Sequence, residues 1–251
     1  MKRFIPFYRK NNEAKSFLKA QWRHLAFANY EVSPDVLQPY LPAGTELDLW
    51  NGKCYLSLVA FLFLETKVFG VKVPGHVNFE EVNIRFYVKR LDGNEWKRGV
   101  VFVKEIVPRS AIAFIANTFY REKYERLPMM HEFSESDNSK TYKFGWRKNV
   151  KWNSFSVDTK KSSADILEGS ETEFITEHYF GYSRQTAATS FEYEVKHPRW
   201  QQFEVTDYKI DVDFEAVYGN DFAFLKDLEP VSVFLADGSN ISVENKIKIT
   251  N

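Results

Sequence analysis

Residues 81–88, Glu-Val-Asn-Ile-Arg-Phe-Tyr-Val, alternate between polar and apolar positions. Val82, Ile84, Phe86 and Val88 form one face, while Glu81, Asn83, Arg85 and Tyr87 form the other. A period of two identifies a strand, because successive side chains leave a pleated backbone on opposite sides. One face is therefore oil and the other a ladder of hydrogen-bonding groups. The next segment, residues 99–107, is apolar on both faces except for Lys104 and Glu105. With a turn at Leu91-Asp92-Gly93-Asn94 between them, residues 80–90 and 99–107 are expected to form an antiparallel hairpin whose polar groups line a pocket.

The same reading carries along the chain. Residues 22–30 form a first strand, and Ser33-Pro34 opens a short helix with serine at the cap and proline at the first position. Asn51-Gly52 is the strongest hairpin signal, predicting that residues 47–50 pair with 54–63. At Pro108 the period changes: Ile112, Ile115, Ala116 and Phe119 recur at helical spacing, which predicts a helix over 109–123. Residues 142–157 read as one strand and 158–170 as a polar loop. A short helix over 174–180, capped by Ser170 or Thr172, follows. Strands are expected at 191–196, 203–210, 231–235 and 241–249, with a short helix at 213–218.

Composition narrows the class. The 23 phenylalanines and 13 tyrosines suit a sheet protein with a ring-filled interior. No linker, repeat or low-complexity tract divides the 251 residues, so one domain over 1–251 is expected, with residues 1–20 as an N-terminal arm. Thirty-four basic residues match thirty-four acidic ones, which argues against the broad positive field of a nucleic-acid binder. The longest apolar run, residues 58–64, is far short of the roughly 20 residues that span a bilayer. No signal-peptide pattern opens the chain, and the lone Cys54 has no partner for an internal disulfide, so a cytoplasmic protein without a membrane segment is expected.

Candidate chemistry centres on the two strands. Alternation places Glu105 on the side of Val101, Val103 and Val107, where a carboxylate needs a cation or a raised pKa. Arg85 is the natural cation if register puts the two on one face. Lys104 then points among Val100, Phe102 and Ile106, where a desolvated amine could act as a Schiff-base nucleophile; more often such a lysine reaches solvent over its stem. Glu177, His178 and Tyr179 offer acid–base groups, but neighbouring helical positions point in different directions. His197-Pro198-Arg199-Trp200 is a turn that would aim His197 and Trp200 at a rim. The five histidines never fall at ligand spacing and no cysteine cluster exists, so no metal is expected; nor is a cofactor, since no phosphate-loop or nucleophile-elbow motif is present.

Taken together, residues 22–30, Leu41-Pro42-Ala43-Gly44, residues 55–61, residues 82–88, Arg98-Gly99-Val100-Val101-Phe102, the Tyr120, Tyr124 and Leu127-Pro128-Met129 segment, Phe174-Ile175-Thr176-Glu177-His178-Tyr179 and His197-Pro198-Arg199-Trp200 resemble the YqjF-like family of uncharacterised bacterial proteins. The likeness covers most of residues 20–205. That family is grouped with the acetoacetate decarboxylase-like fold. The resemblance therefore implies a mainly β protein, a bent antiparallel barrel-like sheet with a few outer helices around a cavity. In the decarboxylases a buried lysine beside a second lysine forms an imine with a β-keto acid. Laid over this chain, those two positions hold Met129 and Met130, whose thioethers cannot form one and would make that part of the cavity apolar. Glu81 falls near the position of a decarboxylase active-site glutamate.

The expected function is binding of a small molecule, largely apolar or bearing a carboxylate or carbonyl, by Asn83, Arg85, Tyr87, Met129, His197 and Trp200. The alternatives are an enzyme on this scaffold without the Schiff-base lysine, with Glu81, Arg85, Glu105 or Lys104 as catalytic candidates, and a module whose partner is another protein or a second copy of itself, as a homo-oligomer.

Overall fold

The computed structural model describes residues 16–108 and 123–250. In chain order the strands are β1 (Leu18–Glu31), β2 (Glu46–Leu47), β3 (Tyr55–Val68), β4 (Phe79–Asp92), β5 (Glu95–Val107), β6 (Tyr124–Arg126), β7 (Met129–Glu135), β8 (Ser139–Lys148), β9 (Lys151–Asp165), β10 (Phe180–Arg184), β11 (Thr189–Lys196), β12 (Gln201–Asp211), β13 (Ser232–Val243) and β14 (Ile247–Thr250). Among the described residues three short α-helices accompany them, α1 (Pro34–Leu37), α2 (Glu171–Thr176) and α3 (Phe214–Tyr218), with 3-10 turns at Gln38–Tyr40 and Asn220–Asp227. The helix expected over 109–123 lies outside the described residues apart from Lys123. No helix among the described residues is long and apolar enough to cross a membrane.

The main path of the sheet runs β14-β11-β10-β5-β4-β3-β1-β13-β12-β9-β8-β7. β11 also pairs with β13, through Val195↔Val243 and Lys196↔Ser242, which joins the two ends of the seven-strand run from β11 to β13. The strands thus form a partial ring, with only two residue pairs at this junction and two at β10–β5. The sheet is mixed rather than purely antiparallel, because β5 pairs in parallel with both β6 and β10. β10 comes back to β5 only after the long β7–β8–β9 excursion, and a strand arriving by such a connection is free to enter in the same direction.

β3 shows why the ring has two cores. Its first nine residues are all buried, with Leu56, Leu58, Ala60 and Leu62 in one cluster and Tyr55, Val59, Phe61 and Phe63 in the other. The hairpin of β4 and β5 is present as expected, and Val82, Ile84, Phe86 and Val88 all enter the first cluster.

The pairing of 47–50 with 54–63 does not form beyond a single Trp50↔Lys53 bridge. Asn51 and Gly52 do take the positive φ values of the turn, but both edges of β3 are occupied by β1 and β4, and β2 joins β4 instead. Residues 142–157 are two strands, β8 and β9, reversing at Asn149. β9 runs on to Asp165 through the expected loop because β12 pairs with it up to Gln201↔Asp165. Its last six side chains are exposed, so the backbone pairing leaves no apolar period to read. α2 begins at Glu171, where the Ser170 hydroxyl accepts from the Glu173 amide, and it ends before Phe180, which starts β10.

Candidate functional site: a cavity around Arg85

A one-residue bulge in β5 decides what the site contains. Asn83 pairs with Glu105 and Ile84 with Lys104, but Arg85 pairs with Phe102, so Val103 is the extra residue. The bulge reverses the alternation beyond it. Glu105 shares its face with Val107, Phe102 and Val100, whereas Val101 and Val103 turn to the other core with Ile106. This corrects the neighbours that alternation assigned to Glu105 and Lys104.

Glu81, Asn83, Arg85 and Glu105 are consequently brought together, each at most 7% exposed, at one end of a cavity of about 90 Å³. The remaining wall is largely aromatic, including Trp22, Phe61, Phe63, Phe79 and Phe102. A water needs roughly 10–15 Å³ measured this way, so the cavity holds several atoms of a small molecule.

The polar end is hydrogen-bonded in a particular order. Asn83 Nδ2 donates to Glu81 Oε1 at 2.9 Å, and the Tyr124 hydroxyl donates to Glu81 Oε2 at 3.2 Å. Tyr124 is also in contact with Glu105. Burial pushes the Glu81 carboxyl up to about 7, against the opposing pull of the Asn83 and Tyr124 hydrogen bonds and the Arg85 charge. Burial, then the charges of Glu105 and Glu81, hold the Tyr124 phenol well above its ordinary value.

Arg85 does not form the ion pair with Glu105 that the sequence suggested. Among the described residues it has no carboxylate within ion-pair distance; Nη2 donates to the Ile175 carbonyl at 3.4 Å and the guanidinium lies over the rings of Phe27 (5.0 Å) and Tyr87 (5.7 Å). Its Nε has no hydrogen-bond partner there. In the register that runs unbroken from the turn, Phe102 and not an acid stands opposite Arg85.

A smaller compartment of about 20 Å³ adjoins the cavity across Arg85, Phe102 and Trp22. His197 and Trp200 line it, stacked with centroids 4.3 Å apart. Burial, aided by the charge of Arg85, lowers His197 to about 4. His178 also lines it. Its Nε2 stands 3.1 Å from Asp48 Oδ2, which accepts from Arg98 Nε at 2.6 Å as well. Burial lowers His178 to about 4 despite Asp48, and Asp48 falls to about 2 because the His178 and Arg98 hydrogen bonds outweigh its own burial.

The other expected site residues lie elsewhere. Tyr87 supports the site from behind: its hydroxyl bonds to Ser57 at 2.7 Å and its ring packs on His178 with centroids 4.8 Å apart. Lys104 projects from the opposite face, paired with Glu125 at 3.1 Å and donating to the Val217 carbonyl. Met129, on β7, pairs with Trp146 of β8 and packs against the first core, and it lines neither compartment. Among the described residues no lysine lines either compartment, and no group of three or more His, Cys, Asp or Glu could hold a metal ion.

Sequence reasoning missed Asp48 and Tyr124 as site residues and set His178 aside. His178 finds its partner 130 positions away, so no local spacing announces the pair.

Comparison with known proteins places this geometry. Residues 19–240 match DUF2071, described as "Uncharacterized conserved protein (COG2071)". The chain is 25% identical over 186 residues, 73% of this chain and 74% of the other, to the "Uncharacterized protein YqjF" of Bacillus subtilis (strain 168). Among solved structures it is similar to an acetoacetate decarboxylase-like enzyme from Sphingomonas wittichii RW1, with a TM-score of 0.65 at 10% identity over 94% of each chain. It is also similar to the enduracididine biosynthesis enzyme MppR complexed with pyruvate, with a TM-score of 0.63 at 11% identity over 95% of this chain and 93% of that one. At these identities the structural likeness shows a shared fold. The family match over residues 19–240 goes further: this chain belongs to the DUF2071 family and is a YqjF-like protein on the acetoacetate decarboxylase-like fold.

Proposed function

We propose that this protein binds a small, largely apolar molecule carrying a carboxylate or carbonyl in the cavity beside β4 and β5. Arg85 would hold its oxygen atoms and the aromatic wall its hydrocarbon part. The partial ring of strands would then serve as a barrel around the ligand. One observation carries the reading: a buried guanidinium that has no carboxylate partner among the described residues and faces a cavity. A buried, unpaired charge is costly, and a ligand carboxylate that accepts a forked pair of hydrogen bonds would offset that cost. The pyruvate held by a protein of the same fold is of this chemical class.

An enzyme on the same scaffold is the second reading, favoured by Glu81. A carboxyl pushed up to about 7 beside Glu105 and Tyr124 is poised to give or take a proton near neutral pH. Imine chemistry is not part of it, because among the described residues no lysine lines the cavity and Lys104, next to Glu105 in sequence, faces the other core.

Calorimetric titration with short-chain carboxylic acids tests the binding reading. Butyrate or 2-oxobutyrate should bind, and Arg85→Gln should weaken binding by at least about tenfold, the loss expected when a charge-assisted hydrogen bond is removed. Equal affinity in the wild type and the variant would exclude Arg85 as the anchor.

A further inference from the structure

Two residues that line the smaller compartment each carry a buried polar atom, and the two atoms are of opposite kind. His178, with its side chain only 1% exposed, places Nε2 on Asp48. Asp48 is a carboxylate and can only accept, so Nε2 carries the proton and Nδ1 is left as a bare acceptor. Nδ1 has no hydrogen-bond partner among the described residues, and neither has Arg85 Nε, which can only donate. Both residues line the same space of about 20 Å³, the size of one oxygen atom with its hydrogen. Of the other polar groups there, the Thr176 hydroxyl donates to the Thr172 carbonyl at 2.8 Å and His197 Nδ1 bonds to the Pro198 carbonyl at 2.9 Å, while Trp22 Nε1 is a second donor without a partner among the described residues, which the other lone pair of a hydroxyl oxygen can accept.

An atom that satisfies both must accept from Arg85 Nε and donate to His178 Nδ1. A carboxylate or keto oxygen cannot donate, and would set its lone pairs against that of Nδ1. An ammonium cannot accept and would meet the Arg85 charge. A hydroxyl does both. Burial keeps His178 neutral at pH 7, so Nδ1 does not become a donor that would favour a ketone.

We infer that the ligand is a hydroxy acid, whose hydroxyl sits between His178 Nδ1 and Arg85 Nε while its carbon chain occupies the larger cavity. This rests on the binding reading above and names the substrate class within it. The two compartments meet at Arg85, Phe102 and Trp22, so a hydroxyl carried close to the carboxylate can reach the small one while the chain stays in the large one.

The test compares 2-hydroxybutyrate, butyrate and 2-oxobutyrate by calorimetry, with 15N-labelled imidazole resonances of the wild type as a second measurement. The hydroxy acid should bind at least about tenfold more tightly than the other two, since a buried acceptor left unsatisfied by the wrong ligand is penalised. His178→Phe should bring the ratio of hydroxy acid to butyrate affinity to about one. If that variant fails to fold, the wild-type Nδ1 resonance decides: it should move with 2-hydroxybutyrate and stay in place with butyrate. Three acids of equal affinity, all lost in Arg85→Gln, would overturn the hydroxyl assignment and leave the binding reading standing. A preference for 2-oxobutyrate would likewise overturn it, and no binding by any acid would overturn both.

Discussion

Glu105 and Phe102 face the same cavity although three positions separate them along one strand. In a regular strand that spacing puts two side chains on opposite faces. The bulge at Val103 removes the conflict, and it has a chemical result. It sets Asn83 opposite Glu105, within the cluster that includes Glu81 and Tyr124, while the aromatic ring of Phe102 stands opposite Arg85 in the register that runs from the turn. The carboxyl groups thus have neutral hydrogen-bond donors while the guanidinium is left toward the cavity. A bulge beside a site commonly re-aims a side chain in this way.

Arg85→Met should leave the ligand-free protein within about 1 kcal/mol of wild-type stability at pH 6, or make it more stable, because methionine fills similar space without a buried charge. Had Arg85 been ion-paired, removing it would cost about 3–5 kcal/mol. Urea denaturation distinguishes the two. A loss above about 3 kcal/mol would mean that the guanidinium is satisfied within the protein and is not reserved for a ligand.

The fold was readable where side-chain period and burial coincide. Val82, Ile84, Phe86 and Val88 announced their strand because that face is fully buried, and the Ser33 cap was visible, with Ser170 as one of two candidates for α2, because capping is local. The end of β9 was not, since its residues 160–165 are exposed and are held by pairing to β12 and polar side-chain contacts rather than by an apolar face. The site divides in the same manner. Glu81, Asn83 and Arg85 stand on one clean alternating face, so the polar ladder was apparent from composition. The partners across it were not, because a bulge carries no strong sequence signal without a glycine and Val103 is an ordinary strand residue. Asp48, Tyr124 and His178 come from three separate segments that only tertiary packing brings to β4.

Glu81 makes stability depend on pH with a definite sign. Its folded pKa, about 7, lies above the ordinary value of 4.5, so the folded state holds the proton more tightly than the unfolded state does. Its contribution is fully present below about 4.5 and is lost as pH rises to about 7, by at most roughly 1.4 kcal/mol per unit. Glu81→Gln keeps the hydrogen-bonding shape without the titration. Chemical denaturation at pH 5, 6, 7 and 8 should show the variant gaining on the wild type as pH rises. A constant difference would mean that Glu81 does not titrate in this window.

His178 acts in the opposite sense. Its folded pKa, about 4, lies below the ordinary 6.5, so the unfolded state takes up the proton first and stability falls as pH drops from 6.5 toward 4. Asp48 is the group that holds the ring. Asp48→Ala should cost about 3–5 kcal/mol at pH 7, because it strips buried His178 and partly buried Arg98 of their shared acceptor. Lys104→Ala, which breaks a half-exposed pair with Glu125, should cost only about 1 kcal/mol. Equal losses in the two variants would remove the distinction between a site pair and an outer one.

The chain should form no imine with a β-keto acid at neutral pH. An imine needs an amine that reaches the bound carbonyl carbon, and among the described residues no lysine lines the cavity or the compartment beside it. Lys104, one residue from Glu105 in sequence, is held on the far side of the strand, where the Glu125 carboxylate and the Val217 carbonyl occupy its ammonium. Turning it inward would break both contacts and bury a charge in the aromatic wall. Incubation with acetoacetate and borohydride, followed by intact mass measurement and peptide mapping, should therefore show no reduced adduct on Lys104. An adduct there would require β5 to shift its register across the bulge. Its absence leaves proton transfer through Glu81 as the chemistry open to an enzyme of this architecture.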